Sequence, residues 1–381
     1  MRNAPVWKSW LVLLSLLTDP RYLSYRLRRR WARFVGRTPP PPSPTPRPAT
    51  EPPGDVSGLD VDLVYLWVSG QDPKHREKRD YWLRRCGLAP SVFNPDVRYV
   101  EDDELRYSLR TVEAFLPWLR KIFIVTDDQV PPWLNLAHPK VEIVDHRQII
   151  DAQWLPTFNT KVIINHIHRI PGLSEHFIYT NDDCFFGQPC SKEDFFERRP
   201  APDGAQVVMK ILLPQGEKNY DSWIVPAHTV THDDLARLWM YSYNSLKVML
   251  ELRRPWRKIR YVDSHQSQPM IRSELERATR EYPRAHERTS ASRFRNPHDI
   301  SFISIARYRA LANGTAKLGD LSSVFFPYES DLAGFTREDL PALFCINAGL
   351  GDEALRQARI LARLFPEPSA FELADATVAS E

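Results

Sequence analysis

The sequence predicts an α/β fold: a mainly parallel sheet with flanking helices and a ligand crevice at the carboxyl ends of its strands. Three observations carry this. Four short runs of β-branched and aromatic residues lie at Val61 to Val68, Lys121 to Val125, Val141 to Val144 and Phe177 to Tyr179. Helix-patterned segments separate some of them, and alternating strands and helices imply parallel pairing. Each run breaks off in polar residues: Ser69 to Asp72, Asp127 and Asp128, Asp145 and His146, and Asn181 to Asp183. In open sheets of this class, ligands bind beyond the carboxyl ends of the strands.

The chain has 381 residues, enough for one large or two modest domains with a sizeable core. Hydrophobic content of 43% and charged content of 26% are ordinary for a globular protein. A net charge of +3 says little about partners. The four cysteines, Cys86, Cys184, Cys190 and Cys345, lack CxxC and zinc-finger spacing, so they read as reduced thiols; a Cys184–Cys190 disulfide is the alternative.

Residues 1–37 form a distinct leader. The apolar run Trp10 to Leu17 is too short to span a bilayer, and no small-residue cleavage site follows it. Arg21, Arg26, Arg28, Arg29, Arg30, Arg33 and Arg37 then surround Trp31 and Phe34. A basic amphipathic helix here suits an anionic membrane surface, and a solvated leader accounts for it equally. Nucleic acid is not the expected partner, because the rest of the chain carries no basic stripe. Residues 38–59 read as a linker, since the proline run from Pro39 to Pro46 favours an extended chain that packs no core. A catalytic domain is expected over 60–365, with a frayed tail over 366–381.

Within the domain, the strand run ending at Val68 meets a turn signal, Ser69-Gly70-Gln71-Asp72-Pro73. Lys74 to Arg85 is charged and helix-forming. Glu101 to Phe115 reads as a helix with an apolar stripe at Leu105, Leu109 and Val112; Glu104, Ser108 and Thr111 share another face. A helix is expected from Met270 to Tyr282, an apolar one from Ile300 to Leu311, a late strand at Ser322 to Phe326, a buried stretch at Ala342 to Leu350, and an amphipathic helix from Asp352 to Phe365.

The fourth run carries the sharpest chemical signal. Asp182 and Asp183 lie between the apolar segments Phe177 to Tyr179 and Phe185-Phe186. Two buried carboxylates without a partner are costly, and a divalent cation is the usual partner. A surface turn explains the same residues. No glycine-rich phosphate loop exists, so metal and arginine would hold a phosphate. His166 and His168 are two apart near a helix end and do not face one way, which argues against a two-histidine zinc site. His265, in a polar loop, is the better proton acceptor. Arg293 and Arg295 could clamp a phosphate, or be ordinary surface charges.

Four ordered blocks make the chain resemble the Stealth family, which includes bacterial capsular and exopolysaccharide phosphotransferases and the catalytic portion of the animal lysosomal-enzyme N-acetylglucosamine-1-phosphotransferase. The blocks are Asp62 to Asp72, Arg98 to Asp183, His265 to Asp299 and Phe344 to Gly349. The resemblance implies a nucleotide-sugar-transferase-like fold and transfer of a sugar 1-phosphate from a nucleotide-sugar to a glycan or polysaccharide hydroxyl. It implies a divalent metal, Mg or Mn, on Asp182 and Asp183, and catalytic roles for His265, Arg295 and Asp183. Trp67, Asp72, Glu104, Arg106 and Asn181 fall at substrate-binding positions. Relatives usually carry Asp or Asn where this chain has Ser69, and many carry Glu where it has Ile164. A metal-dependent glycosyltransferase releasing nucleoside diphosphate, and an inactive glycan-binding relative, are the alternatives. The expected location is cytoplasmic, peripheral at the inner face of the cell membrane.

Overall fold

The computed structural model describes residues 54–88, 99–201, 204–212, 266–296, 298–319, 321–326, 330, 332–346 and 352–374. The predicted leader, the linker up to residue 53, His265, residues 347–350 and the tail beyond residue 374 lie outside the described residues.

In chain order the elements are β1 (Val61–Leu66), α1 (Pro73–Arg85), α2 (Glu104–Phe115), β2 (Ile122–Thr126), β3 (Val141–Asp145), α3 (His146–Ile149), α4 (Thr160–His166), β4 (His176–Asn181) and β5 (Cys184–Phe186). There follow α5 (Lys192–Phe195), β6 (Phe196–Ala201), β7 (Gly204–Ile211), β8 (Gln268–Ile271), α6 (Arg272–Glu281), α7 (Pro283–Ser290) and α8 (Phe302–Asn313). The last are β9 (Ala316–Leu318), β10 (Ser323–Phe326), β11 (Leu343–Ile346) and α9 (Asp352–Leu364).

The central sheet has the order β3-β2-β1-β4-β8. Its first four strands are parallel and β8 runs antiparallel to β4. This is the mainly parallel α/β architecture that the strand runs predicted. Every residue of β1 is buried, so its run is apolar throughout instead of alternating. The exception, Asp62, is matched: its carboxylate accepts from Arg120 at 2.6 Å and from the Ser174 backbone N–H at 2.7 Å. Registers Leu66↔Val125, Leu66↔Asn181 and Thr126↔Asp145 bring the carboxyl ends of the four strands to one edge. Because β2 lies on one side of β1 and β4 on the other, the connection changes direction between β1 and β4, where such sheets open a crevice.

Two three-stranded sheets, β10-β11-β5 and β6-β7-β9, flank the first. The β10-β11-β5 sheet packs Phe185, Phe344 and Ile346 against Ile360, Leu361 and Leu364 of α9.

Four expectations need correction. Met270 is in a strand, not a helix: β8 pairs with β4, and Pro269 is tolerated because β8 is the edge of that sheet. Glu101 to Asp103 are not helical, because the Asp102 and Asp103 N–H groups donate to the Glu104 and Glu101 carboxylates and Asp103 is left-handed, with φ 62°. The tail does not fray up to residue 374: Phe371 is buried and Glu372 binds Arg106 and Arg110 of α2. The linker ends earlier than residue 59, since Gly54 bridges to Arg198, Val56 is buried and Lys192 Nζ donates to the Ser57 and Leu59 carbonyls. All four cysteines are free thiols, as the spacing argued.

Candidate active site

The site grows from the tight turn joining β4 to β5. Asn181 ends β4, and Asp182 and Asp183 form the turn, with the Asp182 carboxylate accepting the Asp183 N–H at 3.2 Å. The polar face of α2 fastens this turn to the sheet. Ser108 Oγ donates to the Cys184 carbonyl at 2.6 Å and contacts the Tyr65 hydroxyl at 2.6 Å. Thr111 Oγ1 accepts the Phe186 N–H at 3.1 Å. One turn earlier on this face, Glu104 arrives beside Asp182.

The result is a cluster of carboxylates. Burial, then the charges of Asp183 and Glu101, pushes Asp182 up to about 7. Burial, then Asp103 and Asp102, pushes Glu101 up to about 7. Burial, then Asp182, pushes Glu104 up to about 8. Glu104 is buried and Glu101 and Asp182 partly so, and like charges in such surroundings hold their protons tightly. Asp102 Oδ2 is also buried without a hydrogen-bond partner. Carboxylate oxygens are the donor type that hard divalent cations take, but among the described residues only Asp183, Cys184 and Cys345 bring three ligand atoms within 4.8 Å of one another. The Trp67 indole N–H, at the end of β1, approaches Glu101 without completing a hydrogen bond.

The adjacent aspartates do not share surroundings. Asp182 faces Glu101 and Glu104, while Asp183 accepts from the Cys184 thiol at 3.6 Å and neighbours Cys345. Asn181 Oδ1 accepts from the Tyr179 hydroxyl at 2.8 Å. The Arg295 charge acts on that same tyrosine, and Arg295 Nη2 donates to Thr160 Oγ1 at 2.5 Å. Its loop is pinned by Asn159, which donates to the Ser292 and Phe294 carbonyls and to Asp299. Arg295 is thus held at the start of α4 within electrostatic reach of β4, whereas Arg293 stacks on Trp82 at 3.9 Å.

Other predicted residues are engaged elsewhere. Asp72 caps α1 through the Lys74 N–H and accepts from Gln129 Nε2, which also binds the Ser69 carbonyl. Gln129 draws the Asp72 carboxyl below its ordinary range. Arg106 pairs with Glu372 at 2.5 Å, which ties the C-terminal segment to α2, and its Nη1 lies 4.0 Å from Asp103 Oδ2 in the acidic run. Ile164 is packed in the main core. His166 is buried, with Nδ1 at 2.8 Å from the Val162 carbonyl and its ring 4.7 Å from that of His286. The crevice is also less acidic than the strand ends suggested. Asp145 caps α3 and, with Asp128, is paired to Arg147; Asp127 is paired to Lys78 at 2.6 Å.

Glu101, Asp102 and Tyr179 escaped sequence reasoning. The signal for the first two was the acidic run Glu101 to Glu104, read as the start of a helix; for Tyr179 it was the two-residue spacing to Asn181 on one strand. His265 lies outside the described residues. Two positions later, the Ser267 hydroxyl is 2.8 Å from that of Thr180 in β4.

Three family descriptions match the chain: Stealth protein conserved region 1 over residues 59–85, region 2 over 98–203 and region 3 over 264–308. The carboxylate cluster falls within region 2. The chain is 36% identical over 338 residues to exopolysaccharide phosphotransferase SCO6023 of Streptomyces coelicolor, spanning 82% of this chain and 52% of that protein. It is 36% identical over 255 residues to capsular polysaccharide phosphotransferase fcs1 of Haemophilus influenzae, spanning 66% of each. It is 34% identical over 334 residues to exopolysaccharide phosphotransferase CpsY of Mycobacterium tuberculosis strain H37Rv, spanning 82% of this chain and 58% of that protein. The chain thus spans between about half and two thirds of the length of these relatives.

Proposed function

The chain belongs to the Stealth family, and from that premise we propose that it is a polysaccharide phosphotransferase. It would move a sugar 1-phosphate from a nucleotide-sugar to a glycan hydroxyl, forming a phosphodiester and releasing nucleoside monophosphate. The observation that carries this reading is the cluster of Asp182, Glu101 and Glu104 at the β1/β4 crevice, inside a matched conserved region.

In this reading Asp182, with Glu101 and Glu104 near it, would hold Mg²⁺ or Mn²⁺, and Asp183 lies beside it. The ion, when bound, supplies charge neutralisation for the donor diphosphate. The chain's own residues orient the reactants. Arg295, held by Thr160, presents a planar fork to the phosphoryl oxygens. Asn181 and Trp67 line the donor side. His265 accepts the acceptor hydroxyl's proton as that oxygen attacks phosphorus. Such transfer needs position and charge more than covalent catalysis.

The arginine-rich residues 1–37 are proposed to touch an anionic membrane surface at its cytoplasmic face. Among the described residues, no helix is long and apolar enough to cross a membrane.

The deciding experiment incubates the protein with a panel of nucleotide-sugars, a glycan acceptor and Mg²⁺ or Mn²⁺, and identifies the products. Nucleoside monophosphate and a phosphate-linked product are expected. Nucleoside diphosphate with a phosphate-free glycoside would move the enzyme to the glycosyltransferases. No turnover with any donor would favour a glycan-binding protein.

A further inference from the structure

Behind the carboxylate cluster lies a second group of different chemistry. β5 and β11 are antiparallel, with Cys184 directly opposite Cys345. The Ile346 N–H donates to the Asp183 carbonyl at 3.1 Å, and the Gly187 N–H to the Ala342 carbonyl at 3.0 Å. This pattern makes Cys184 and Cys345 a non-hydrogen-bonded pair, the class in which facing side chains approach most closely. Both thiols are free and buried. The same Ile346–Asp183 bond fixes Asp183 at the end of the ladder. Ligand atoms of Asp183, Cys184 and Cys345 all lie within 4.8 Å of one another.

We propose that Asp183, Cys184 and Cys345 form a binding site for a thiophilic divalent cation of the zinc class. The spacing suits a small tetrahedral ion. Bonds of about 2.3 Å to sulfur and about 2.0 Å to a carboxylate oxygen put those two ligand atoms about 3.5 Å apart. The Cys184 Sγ to Asp183 Oδ1 distance is 3.6 Å. Thiolates select zinc over magnesium or manganese, whereas the carboxylates around Asp182 lack that soft preference and suit the harder ions. The neighbouring aspartates thus sit in donor sets of different softness. Asp183 is only partly buried, so an ion reaches the thiols past its carboxylate, and a water completes the coordination. Binding converts two S–H groups to thiolates and releases two protons to solvent, so uptake weakens as pH falls.

The site is independent of the phosphotransferase reading, and its test needs no substrate. Cobalt(II) added to the reduced, full-length protein should give a thiolate-to-cobalt charge-transfer band at one equivalent, displaced by zinc and unaffected by excess Mg²⁺. Cys184→Ala and Cys345→Ala should each abolish the band, while Cys86→Ala and Cys190→Ala should retain it. Asp183→Asn should weaken binding by at least about tenfold, since loss of even an outer partner of a metal ligand costs that much. Either central cysteine variant suffices if the other does not fold. No band with all thiols still titratable would overturn the proposal. So would a band that survives both central cysteine variants, or one that excess Mg²⁺ removes.

Discussion

At the residue scale, Asp182 and Arg295 depend on opposite features of their surroundings. Asp182 is raised to about 7 by burial and like charge, so the metal-free fold prefers it protonated. A carboxyl raised in this way contributes most below its unfolded value, near 4, and its contribution is lost as pH rises through about 7. With divalent ions chelated, Asp182→Asn should therefore melt above the wild type at pH 8, and the difference should vanish toward pH 4. With metal present, the same variant should lose turnover. Equal melting temperatures at pH 8 and full metal-dependent turnover would remove Asp182 from the site. Arg295 is proposed to act on charge that shifts between phosphoryl oxygens during transfer. Arg295→Lys keeps the charge but loses the fork, so kcat should fall by roughly 10²-fold with little change in KM, the scale of one lost preorganised donor. A rise in KM alone would mark Arg295 as a simple binding contact.

At the element scale, two packing arrangements support the site from outside it. One is the joint between α4 and α7, where His166, His168 and His286 meet beside Trp154 and Arg169. Burial drives them to about 4, 3 and 4, with the neighbouring positive groups adding to the effect. Histidines held neutral contribute fully above the unfolded value, near 6.5, and that contribution is lost as pH falls toward about 4. His286→Gln removes one such group. Urea titrations should show its stability improving relative to wild type as pH drops across that window; a pH-independent difference would mean that His286 takes up its proton alike in the folded and unfolded chains. The other arrangement is the C-terminal segment. Glu372 joins Arg106 and Arg110 on α2, the helix that presents Glu104, and is drawn down to about 2, chiefly by Arg110 against the opposing effect of burial. Glu372→Gln strands a buried guanidinium and should cost about 3 kcal/mol at pH 7. The effect should shrink as pH falls from about 4.5, where the unfolded chain takes up this proton, through about 2, where the folded one does; an unchanged denaturation midpoint at pH 7 would contradict the latch.

At the scale of the whole molecule, the folded unit is wider at both ends than composition suggests. Val56 is buried and Gly54 bridges to β6, so a truncation of residues 1–53 should leave the melting temperature unchanged. A truncation of residues 1–59 removes Val56 and two carbonyl acceptors of Lys192, and should cost about 2 kcal/mol from the valine alone. Calorimetry of the two truncations separates these outcomes. The shorter truncation also tests the membrane proposal, because it should lose binding to anionic vesicles while keeping turnover; equal vesicle binding by the full-length chain and this truncation would end that idea.

The sequence by itself determined the architecture, because burial on both faces demands apolar runs and strand ends at a crevice demand polar ones. β1, β2, β3 and β4 were legible for that reason, as was Asp182 as an acid set between two apolar segments. What only tertiary structure decided is which acids meet. Asp182 and Asp183 are neighbours in sequence, yet one faces the Glu101 to Glu104 run and the other faces β11. Arg106 also gains a counter-ion, Glu372, from the far end of the chain, which no local pattern announced. Local pattern reports burial and periodicity; electrostatic pairing across hundreds of residues depends on distances that only the fold sets.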